Sequence, residues 1–147
     1  MIGLETNILV RYLAQDDEKQ SAIVTKLIEG NLDKSTDKSL DKNNDKEGYY
    51  FINHIVLCEL VWVLQCAYKV QKKQIVEIIE QLLQTSQFTC QSPDIIWKAL
   101  KNYKNGTADF ADYMTSAINI NQGCKYTLSF DKKALKSGDF VSPKETG

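Results

Sequence analysis

The sequence predicts an α/β fold, in which helices cover a mainly parallel sheet on both faces. Short apolar runs alternate along the chain with longer segments whose apolar residues recur every three or four positions. Strands that alternate with helices are typical of parallel sheets, because a helix supplies the crossover between two parallel strands. With 147 residues, the chain is long enough for one domain with one hydrophobic core.

The strand candidates are short apolar runs between helical segments. In chain order they cover residues 1–5, 49–52, 88–90 and 126–130, with residues 140–141 as a last edge strand. The carboxyl ends of parallel strands meet at one edge of a sheet, where binding sites gather. Glu5 ends the first strand and Asp131 follows the fourth, so we expect both carboxylates at the same edge.

Seven helices are predicted from capping residues and from the spacing of apolar residues. Thr6 or Asn7 can cap the first helix, Asn53 can cap the third, and Pro93 at a first helical position marks the start of the fifth. Gly30 is predicted to end the second helix. The predicted helices cover residues 8–14, 16–30, 54–68, 71–85, 93–103 and 109–121, with a short seventh helix from residue 131.

Residues 32–48 form a low-complexity segment in which Asp-Lys recurs every four residues. This spacing would suit Asp–Lys pairs on a helix. The Ser, Thr and Asn residues between the pairs form helices poorly, however, and the segment buries almost nothing. We interpret it as a flexible surface insertion within a single domain of residues 1–147.

Charge and cysteine content bound the class of protein. A net charge of −1, with 18 basic and 19 acidic residues, means that any nucleic-acid binding must depend on local patches. No signal peptide or membrane-spanning segment is predicted, so we expect a cytoplasmic protein. The cysteines form no C-x-x-C pair and are predicted to be buried free thiols of a reducing compartment: Cys58, Cys66, Cys90 and Cys124.

Glu59 is the only ionisable acid or base in the apolar run 55–67. A lone ionised carboxylate buried in such a helix would cost several kcal/mol unless a cation or hydrogen-bond donors compensated it. No basic residue lies within one turn of Glu59 on that segment. A hard metal ion shared with other acids would account for the charge most simply.

Each of the other candidate acids has a structural alternative. Glu5 could be a surface residue at a strand end, and Asp131 could simply cap the helix that follows it. Asp109 and Asp112 occupy the first turn of a helix, where the helix macrodipole favours carboxylates. Taken together, three or four carboxylates at one sheet edge would repel one another, so a divalent cation is their natural partner.

The chemistry of these acids favours phosphodiester hydrolysis. Ligation by oxygen alone suits Mg²⁺ or Mn²⁺ rather than zinc, and such an ion activates water and stabilises a leaving oxygen. The single histidine, His54, is interpreted as a helix-start or packing residue. No Ser-His or Cys-His pairing, P-loop or G-x-G-x-x-G motif is present, which leaves acyl transfer and nucleotide hydrolysis with little support.

Four blocks of sequence form an ordered pattern across nearly the whole chain: residues 1–13 (MIGLETNILVRYL), 56–64 (VLCELVWVL), 108–114 (ADFADYM) and 123–131 (GCKYTLSFD). This set resembles the PIN-domain ribonucleases of the VapC toxin type. The resemblance implies a three-layer α/β/α sandwich around a mainly parallel sheet. It also implies an endoribonuclease that cleaves single-stranded or looped RNA with Mg²⁺ or Mn²⁺.

Carried over by position, the resemblance implies roles for six residues. Asn7 would orient the carboxylates or a metal-bound water. A small cognate antitoxin would cover the site, and the protein would form a homodimer. The implied metal ligands are four carboxylates with Asp109 as an auxiliary acid: Glu5, Glu59, Asp112 and Asp131.

One position departs from the family pattern, which has aspartate where this chain has Glu5. The added methylene moves the carboxylate by about an ångström or more, whereas a productive site tolerates about half of that. Mg²⁺ is also strict about octahedral geometry. The alternative function is therefore a catalytically impaired PIN-fold remnant that retains antitoxin or RNA binding only. A third interpretation is an RNA-processing nuclease that has no antitoxin.

RNA contacts are predicted for three basic residues near the acids. Arg11 lies one turn after Asn7 and could contact a phosphate. Lys132 and Lys133 directly follow Asp131 in the sequence. A structural ion pair is the alternative role of Arg11, and a solvated surface position is the alternative for the two lysines.

Overall fold

The computed structural model of the protein describes residues 1–33 and 49–145. Over these residues, seven α-helices alternate with five short strands, and none of the helices is both long and apolar enough to cross a membrane. The α/β class predicted from the sequence is confirmed. The elements are β1 (Ile2–Gly3), α1 (Thr6–Ala14), α2 (Glu18–Asp33), β2 (Tyr50–Ile52), α3 (His54–Cys66), α4 (Lys72–Gln84), β3 (Phe88–Cys90), α5 (Pro93–Asn105), α6 (Phe110–Asn121), β4 (Thr127–Leu128), α7 (Lys132–Leu135), β5 (Phe140–Val141) and a final 3-10 turn (Pro143–Glu145).

The described strands form two parallel sheets. The first has the order β1-β2-β3, with Ile2 opposite Tyr50 and Tyr50 opposite Phe88. The second contains β4 and β5. The sequence predicts one sheet edge that carries both Glu5 and Asp131, whereas in the described chain these residues follow strands of different sheets.

Strands β3 and β5 have the predicted bounds, whereas β1, β2 and β4 are shorter than predicted. A strand requires a hydrogen-bonded neighbour, which apolar content alone does not reveal. The first strand has two residues instead of five, and the fourth contains two of the five predicted residues, 126–130. Helix α2 is longer than predicted. It continues through Gly30 and is described as far as Asp33, so the prediction that Gly30 ends this helix is wrong.

The helix starts follow local capping chemistry. Asn53 caps α3, and its Oδ1 accepts a hydrogen bond from the backbone N–H of Val56 at 2.8 Å, as predicted. Pro93 is the first residue of α5, also as predicted. Helix α1 differs, because it begins at Thr6 with Glu5 at its N-cap. The prediction that Thr6 or Asn7 caps this helix is therefore wrong.

The hydrophobic core lies between the three-stranded sheet and the helices that pack around it. Helix α1 packs on α3, and α5 packs on α6. Full burial of one aliphatic side chain is worth about 1.5–3 kcal/mol, so the helices are held mainly by their buried faces. Fully buried side chains include Leu9 of α1, Ile52 of β2, Leu57 of α3, Ile75 of α4 and Ile96 of α5.

The predicted low-complexity insertion falls mostly outside the described residues. Of residues 32–48, only 32–33 are described, and they belong to the end of α2. The interpretation of the remaining residues as an insertion, and the single domain across the whole chain, stay predictions.

Gly106 occupies a crowded position at the C-cap of α5. A Cβ there would overlap the Oη of Tyr113 and lie 3.0 Å from the backbone O of Asn102. Tyr113 is buried, and its Oη accepts the backbone N–H of Ala108 at 3.2 Å. The ring is therefore held in place, and we expect Gly106→Ala to lower the free energy of unfolding by about 1–3 kcal/mol.

Urea unfolding of Gly106→Ala beside Gly138→Ala would measure this effect. A Cβ at Gly138 meets nothing within 4 Å, so the control should change the free energy of unfolding by less than about 0.5 kcal/mol. Equal unfolding midpoints for the two variants would contradict the prediction.

The four cysteines divide by exposure. Burial raises the pKa of the Cys58 and Cys90 thiols to about 11, whereas Cys66 and Cys124 are exposed. The prediction that all four are buried is therefore wrong for the last two. Because the thiolate is the reactive form, an alkylating reagent at mildly alkaline pH should label Cys66 and Cys124 in the folded protein and all four after denaturation.

Mass spectrometry of labelled peptides checks this expectation. Labelling of Cys58 or Cys90 in the folded protein at the rate seen for Cys66 would contradict it.

Candidate functional site

Glu59 lies on an exposed stripe of α3. Ile55 and Trp62 are 70% and 65% exposed, and Glu59, between them at helical spacing, is exposed as well. Only the opposite side of α3, with Leu57 and Leu60, is fully buried. The prediction that Glu59 is a buried charge is therefore wrong, because α3 leaves part of its apolar surface facing solvent.

Thr6 connects this carboxylate to helix α1. Its Oγ1 donates a hydrogen bond to Oε2 of Glu59 at 2.7 Å, and Thr6 is only 8% exposed. The bond joins residues 53 positions apart where α1 packs on α3. Thr6 is not among the site residues that the sequence predicts. Its place between Glu5 and Asn7 in the first sequence block is the only signal that could have indicated it.

Glu5 lies directly before Thr6, so it is near the same junction of α1 and α3. It is exposed and forms the N-cap of α1, and its side chain makes no capping hydrogen bond. Its backbone oxygen accepts the N–H of Ile8 at 3.1 Å. Asn7 is exposed as the second residue of the helix. The predicted orienting role of Asn7 stays a prediction.

Asp109 and Asp112 lie together at the start of α6. Asp109 is the N-cap, and its backbone N–H donates to Oδ2 of Asp112 at 3.2 Å. This bond satisfies one of the N–H groups that have no partner within the helix. Asp109 and Asp112 therefore have the structural role at the start of the helix that is the alternative to metal binding. It leaves Oδ1 of Asp112 free within the described part of the chain.

Asp131 caps the short helix α7. Its Oδ1 accepts the backbone N–H of Lys133 at 2.8 Å, and its own N–H donates to Oγ of Ser129 at 3.0 Å. The capping role predicted for Asp131 is confirmed. As with Asp112, one carboxylate oxygen is held while the other has no hydrogen-bond partner among the described residues.

Burial and two neighbouring carboxylates act on Asp112. Burial raises this pKa above the ordinary aspartate value, and the hydrogen bond from the backbone of Asp109 opposes the rise. The negative charges of Asp109 and Asp131 raise the pKa further. Asp109 and Asp131 therefore both lie within electrostatic range of Asp112.

The donor atoms of this site fit a hard divalent cation. They are carboxylate oxygens, and a cation would relieve the mutual repulsion that raises the pKa of Asp112. Within residues 1–33 and 49–145, however, no three His, Cys, Asp or Glu side chains converge closely enough to hold a metal ion. The described residues therefore include suitable oxygen ligands for a divalent cation, but these ligands are not arranged as a coordination shell.

The basic residues divide between structural and exposed positions. Arg11 donates to Oδ1 of Asp16 at 3.1 Å and to Oε1 of Gln20 at 2.7 Å, which supports its structural alternative. Asp16 also accepts the hydroxyl of Tyr68 at 2.7 Å, and this bond is the largest cause of its lowered pKa. The side chains of Lys132 and Lys133, next to Asp131, are exposed, and their RNA contacts stay predictions.

Comparison with known proteins gives two matches to this chain. The family model described as PIN domain matches residues 2–140, a range that contains every candidate acid from Glu5 to Asp131. A VapC ribonuclease from Aquifex aeolicus (strain VF5) is 26% identical over 135 residues, which are 92% of this chain and 90% of that relative. The resemblance found in the sequence blocks is therefore confirmed.

Proposed function

Because this chain belongs to the PIN domain family, we propose that it is a metal-dependent endoribonuclease that acts as the toxin of a toxin–antitoxin pair. The observation that carries the proposal is the position of Asp112, which is half-buried at the start of α6 and lies within electrostatic range of Asp109 and Asp131. The contact between Thr6 and Glu59 adds a further carboxylate that is held by the fold. Similarity to a VapC ribonuclease supports RNA as the substrate and a small cognate antitoxin as the partner.

Three of the carboxylates share one arrangement that suits this function. One oxygen of each is held by a donor from the fold: the hydroxyl of Thr6 for Glu59, a backbone N–H for Asp112 and a backbone N–H for Asp131. The second oxygen is free to face a ligand. Groups fixed in this way need little reorganisation as charge develops during a reaction.

Asp112 is the carboxylate that we assign to receive the proton of the attacking water. Burial, which does not depend on the neighbouring charges, raises its pKa, and a carboxylate with a raised pKa accepts a proton more readily than an ordinary aspartate. Its free Oδ1 can accept the proton while Oδ2 keeps its hydrogen bond to the backbone N–H of Asp109. Glu59 and Asp131 would help to hold a divalent cation, whose positive charge would attract the phosphate.

Mg²⁺ or Mn²⁺ is the cofactor that this set of oxygen donors would take, through Glu5, Glu59, Asp112 and Asp131 with Asp109 as an auxiliary acid. When bound, such an ion polarises the phosphate and lowers the pKa of a bound water. The carboxylates of this chain would supply the negative charge that holds it.

An RNA digestion assay tests the proposed function. The purified protein should cut a mixed-sequence RNA in the presence of Mg²⁺ or Mn²⁺, and a chelator should stop the reaction. A DNA oligonucleotide of the same sequence should remain intact. Intact RNA with either metal ion, at a protein concentration in excess of the RNA, would contradict the proposal.

Thr6 gives this proposal a test of positioning. Thr6→Val removes the donor that holds Glu59, and loss of such a supporting contact at a metal site typically costs about 10–100-fold in metal affinity or activity. We expect cleavage to fall by this factor and the metal concentration for half-maximal rate to rise. Thr6→Ser keeps the hydroxyl and should restore both quantities.

Assays of cleavage against metal concentration for the three proteins separate positioning from folding. A uniform loss of activity in both variants, with unchanged metal dependence, would show that Thr6 has only a structural role.

The exposed stripe of α3 is where we propose that the antitoxin binds. Ile55 and Trp62 are large apolar side chains on the surface, and Glu59 lies between them. A peptide that buried both side chains would therefore cover the carboxylate and block the site. The apolar residues of α1 lie mostly in the core, since Leu9 and Val10 are buried.

The predicted homodimer is supported by the family resemblance alone.

The second candidate function is the impaired remnant that binds its partners without cutting RNA. It is favoured by Glu5, whose exposed side chain makes no capping hydrogen bond. It is also favoured by the lack of a converged set of three ligands among the described residues. Restoring aspartate at this position separates the two candidates.

A further inference from the structure

A polar cleft of about 440 Å³ opens between the C-terminal end of α5 and the loop that joins α7 to β5. Its lining consists of residue 102, residues 105–107, residue 113 and residues 136–139. This volume is within the range of about 300–1,000 Å³ that is typical of small-molecule sites. Such sites usually have mainly apolar walls, whereas about half of the wall surface of this cleft is polar.

The walls of the cleft are continuous with the elements that carry the acids. Thr107 precedes the N-cap Asp109 by two residues, and Tyr113 directly follows Asp112. On the other side, Lys136 is the C-cap of α7, whose N-cap is Asp131. A helix of four residues is about 6 Å long. The cleft and Asp131 therefore lie at the two ends of α7.

Several polar groups in the cleft already have partners. Oη of Tyr113 accepts the backbone N–H of Ala108 at 3.2 Å. A carboxylate oxygen of Asp139 accepts the hydroxyl of Ser116 at 3.2 Å. These bonds join α6 to the adjoining loops and shape the cleft.

Other polar groups in the cleft have no partner. Within the described part of the chain, the side chains of Asn102, Thr107 and Lys136 make no hydrogen bond or ion pair. They offer one amide, one hydroxyl and one ammonium group. This combination can bind a phosphate through the lysine, and the edge of a base or a ribose hydroxyl through the two neutral side chains.

We propose that this cleft binds a nucleotide of single-stranded RNA next to the cleaved phosphodiester bond. The inference rests on the proposed function, because the aspartates define where the bond is cut. A single strand is required, since a base can enter a cleft of this size only when it is unstacked and unpaired. With a net charge of −1, the protein needs such local contacts to hold an anionic strand.

The cleft also supplies a basis for substrate preference. An amide that donates and accepts hydrogen bonds at a base edge discriminates among bases, whereas a lysine on a phosphate does not. Asn102 is therefore the residue that we assign to base preference, and Lys136 the residue that we assign to backbone affinity.

Binding to a short single-stranded RNA, measured by fluorescence anisotropy without a divalent metal, tests this inference independently of cleavage. Lys136→Gln should weaken binding by about tenfold and reduce the slope of log affinity against log salt by about one. Lys98→Gln, an exposed lysine of α5 that does not line the cleft, should change neither quantity. Thr107→Val provides a second cleft variant at an exposed position, and thermal melts verify that each variant folds.

Cleavage of RNAs that differ in one base beside the cut site tests the role of Asn102. Asn102→Ala should reduce the difference in kcat/KM among the four bases, mainly through KM.

Wild-type binding by the cleft variants, with unchanged base preference in Asn102→Ala, would overturn the inference even if the wild type cleaves RNA. Weaker binding by the cleft variants with no cleavage by the wild type would support the cleft and contradict the nuclease. A wild-type protein that binds no RNA would overturn both.

Discussion

Glu59→Gln should reduce RNA cleavage by about 100-fold or more, the scale at which loss of a single charge-stabilising group slows an enzyme. Glutamine keeps the size of the side chain, and its amide oxygen can still accept the hydroxyl of Thr6, which lies 2.7 Å from the glutamate oxygen. Only the negative charge is lost. Because Glu59 is exposed, the fold should be unaffected, and the loss should report on chemistry alone.

Asp112→Asn should have an effect of the same size. The amide oxygen can still accept the N–H of Asp109 and preserve the start of α6. The free oxygen that we assign to proton transfer is replaced, and the repulsion from Asp109 and Asp131 disappears with the charge. The variant should therefore fold normally and cleave poorly.

Each variant has a matched control elsewhere on the surface. Glu77→Gln changes an exposed glutamate in the middle of α4, as Glu59 is in α3. Asp94→Asn changes an exposed aspartate in the first turn of α5, whereas Asp112 is half-buried in the first turn of α6. Initial rates on one RNA, with thermal melts beside them, measure the effect. Equal rates for the site variants and their controls would defeat the assignment of these carboxylates.

Glu5→Asp should increase cleavage, by about tenfold to 100-fold. Shortening the side chain by one methylene restores the family's aspartate, and a misplacement of about 1 Å can cost about 100-fold in rate. The change is well suited to the position, because Glu5 is exposed and makes no capping bond that the substitution would break. Aspartate is also a better N-cap residue than glutamate, so α1 should not lose stability.

Glu5→Gln is the companion variant, since it keeps the longer side chain and removes the charge. If Glu5 holds a cation, this variant should cut RNA no faster than the wild type and should need more metal for half-maximal rate. Equal rates for the wild type and Glu5→Asp would show that the longer side chain already reaches a productive position. In that case the impaired-remnant alternative would lose its main support.

Capping residues show which parts of the fold the sequence predicts well. Asn53, Pro93 and Asp131 were assigned to helix starts from the residues around them, and each has that role. A cap depends on bonds between groups three or four residues apart, so its information is local. The four ordered acidic blocks were likewise visible, because each block is a short contiguous run.

The exposure of side chains and the contacts between residues far apart in the chain are the features that the sequence predicts poorly. The apolar neighbours of Glu59 in the chain predict that it is buried, yet Ile55 and Trp62 share its exposed stripe. The sequence predicts that Thr6 or Asn7 caps α1, whereas the hydroxyl of Thr6 donates a hydrogen bond to a carboxylate 53 residues away. Which face of a helix is covered depends on the elements that pack against it, and the helix's own sequence does not contain that information.

The sequence by itself determined the α/β class, most of the helix starts and the resemblance to the PIN domain family, because these follow from local hydrogen bonding and from ordered motifs. Only the tertiary structure decided that Thr6 holds Glu59, that Asp109 and Asp131 lie within electrostatic range of Asp112, and that a cleft lies beside α5 and the loop after α7. The physical reason is that packing sets the distances between residues far apart in the chain. Hydrogen bonds and charge interactions depend on those distances.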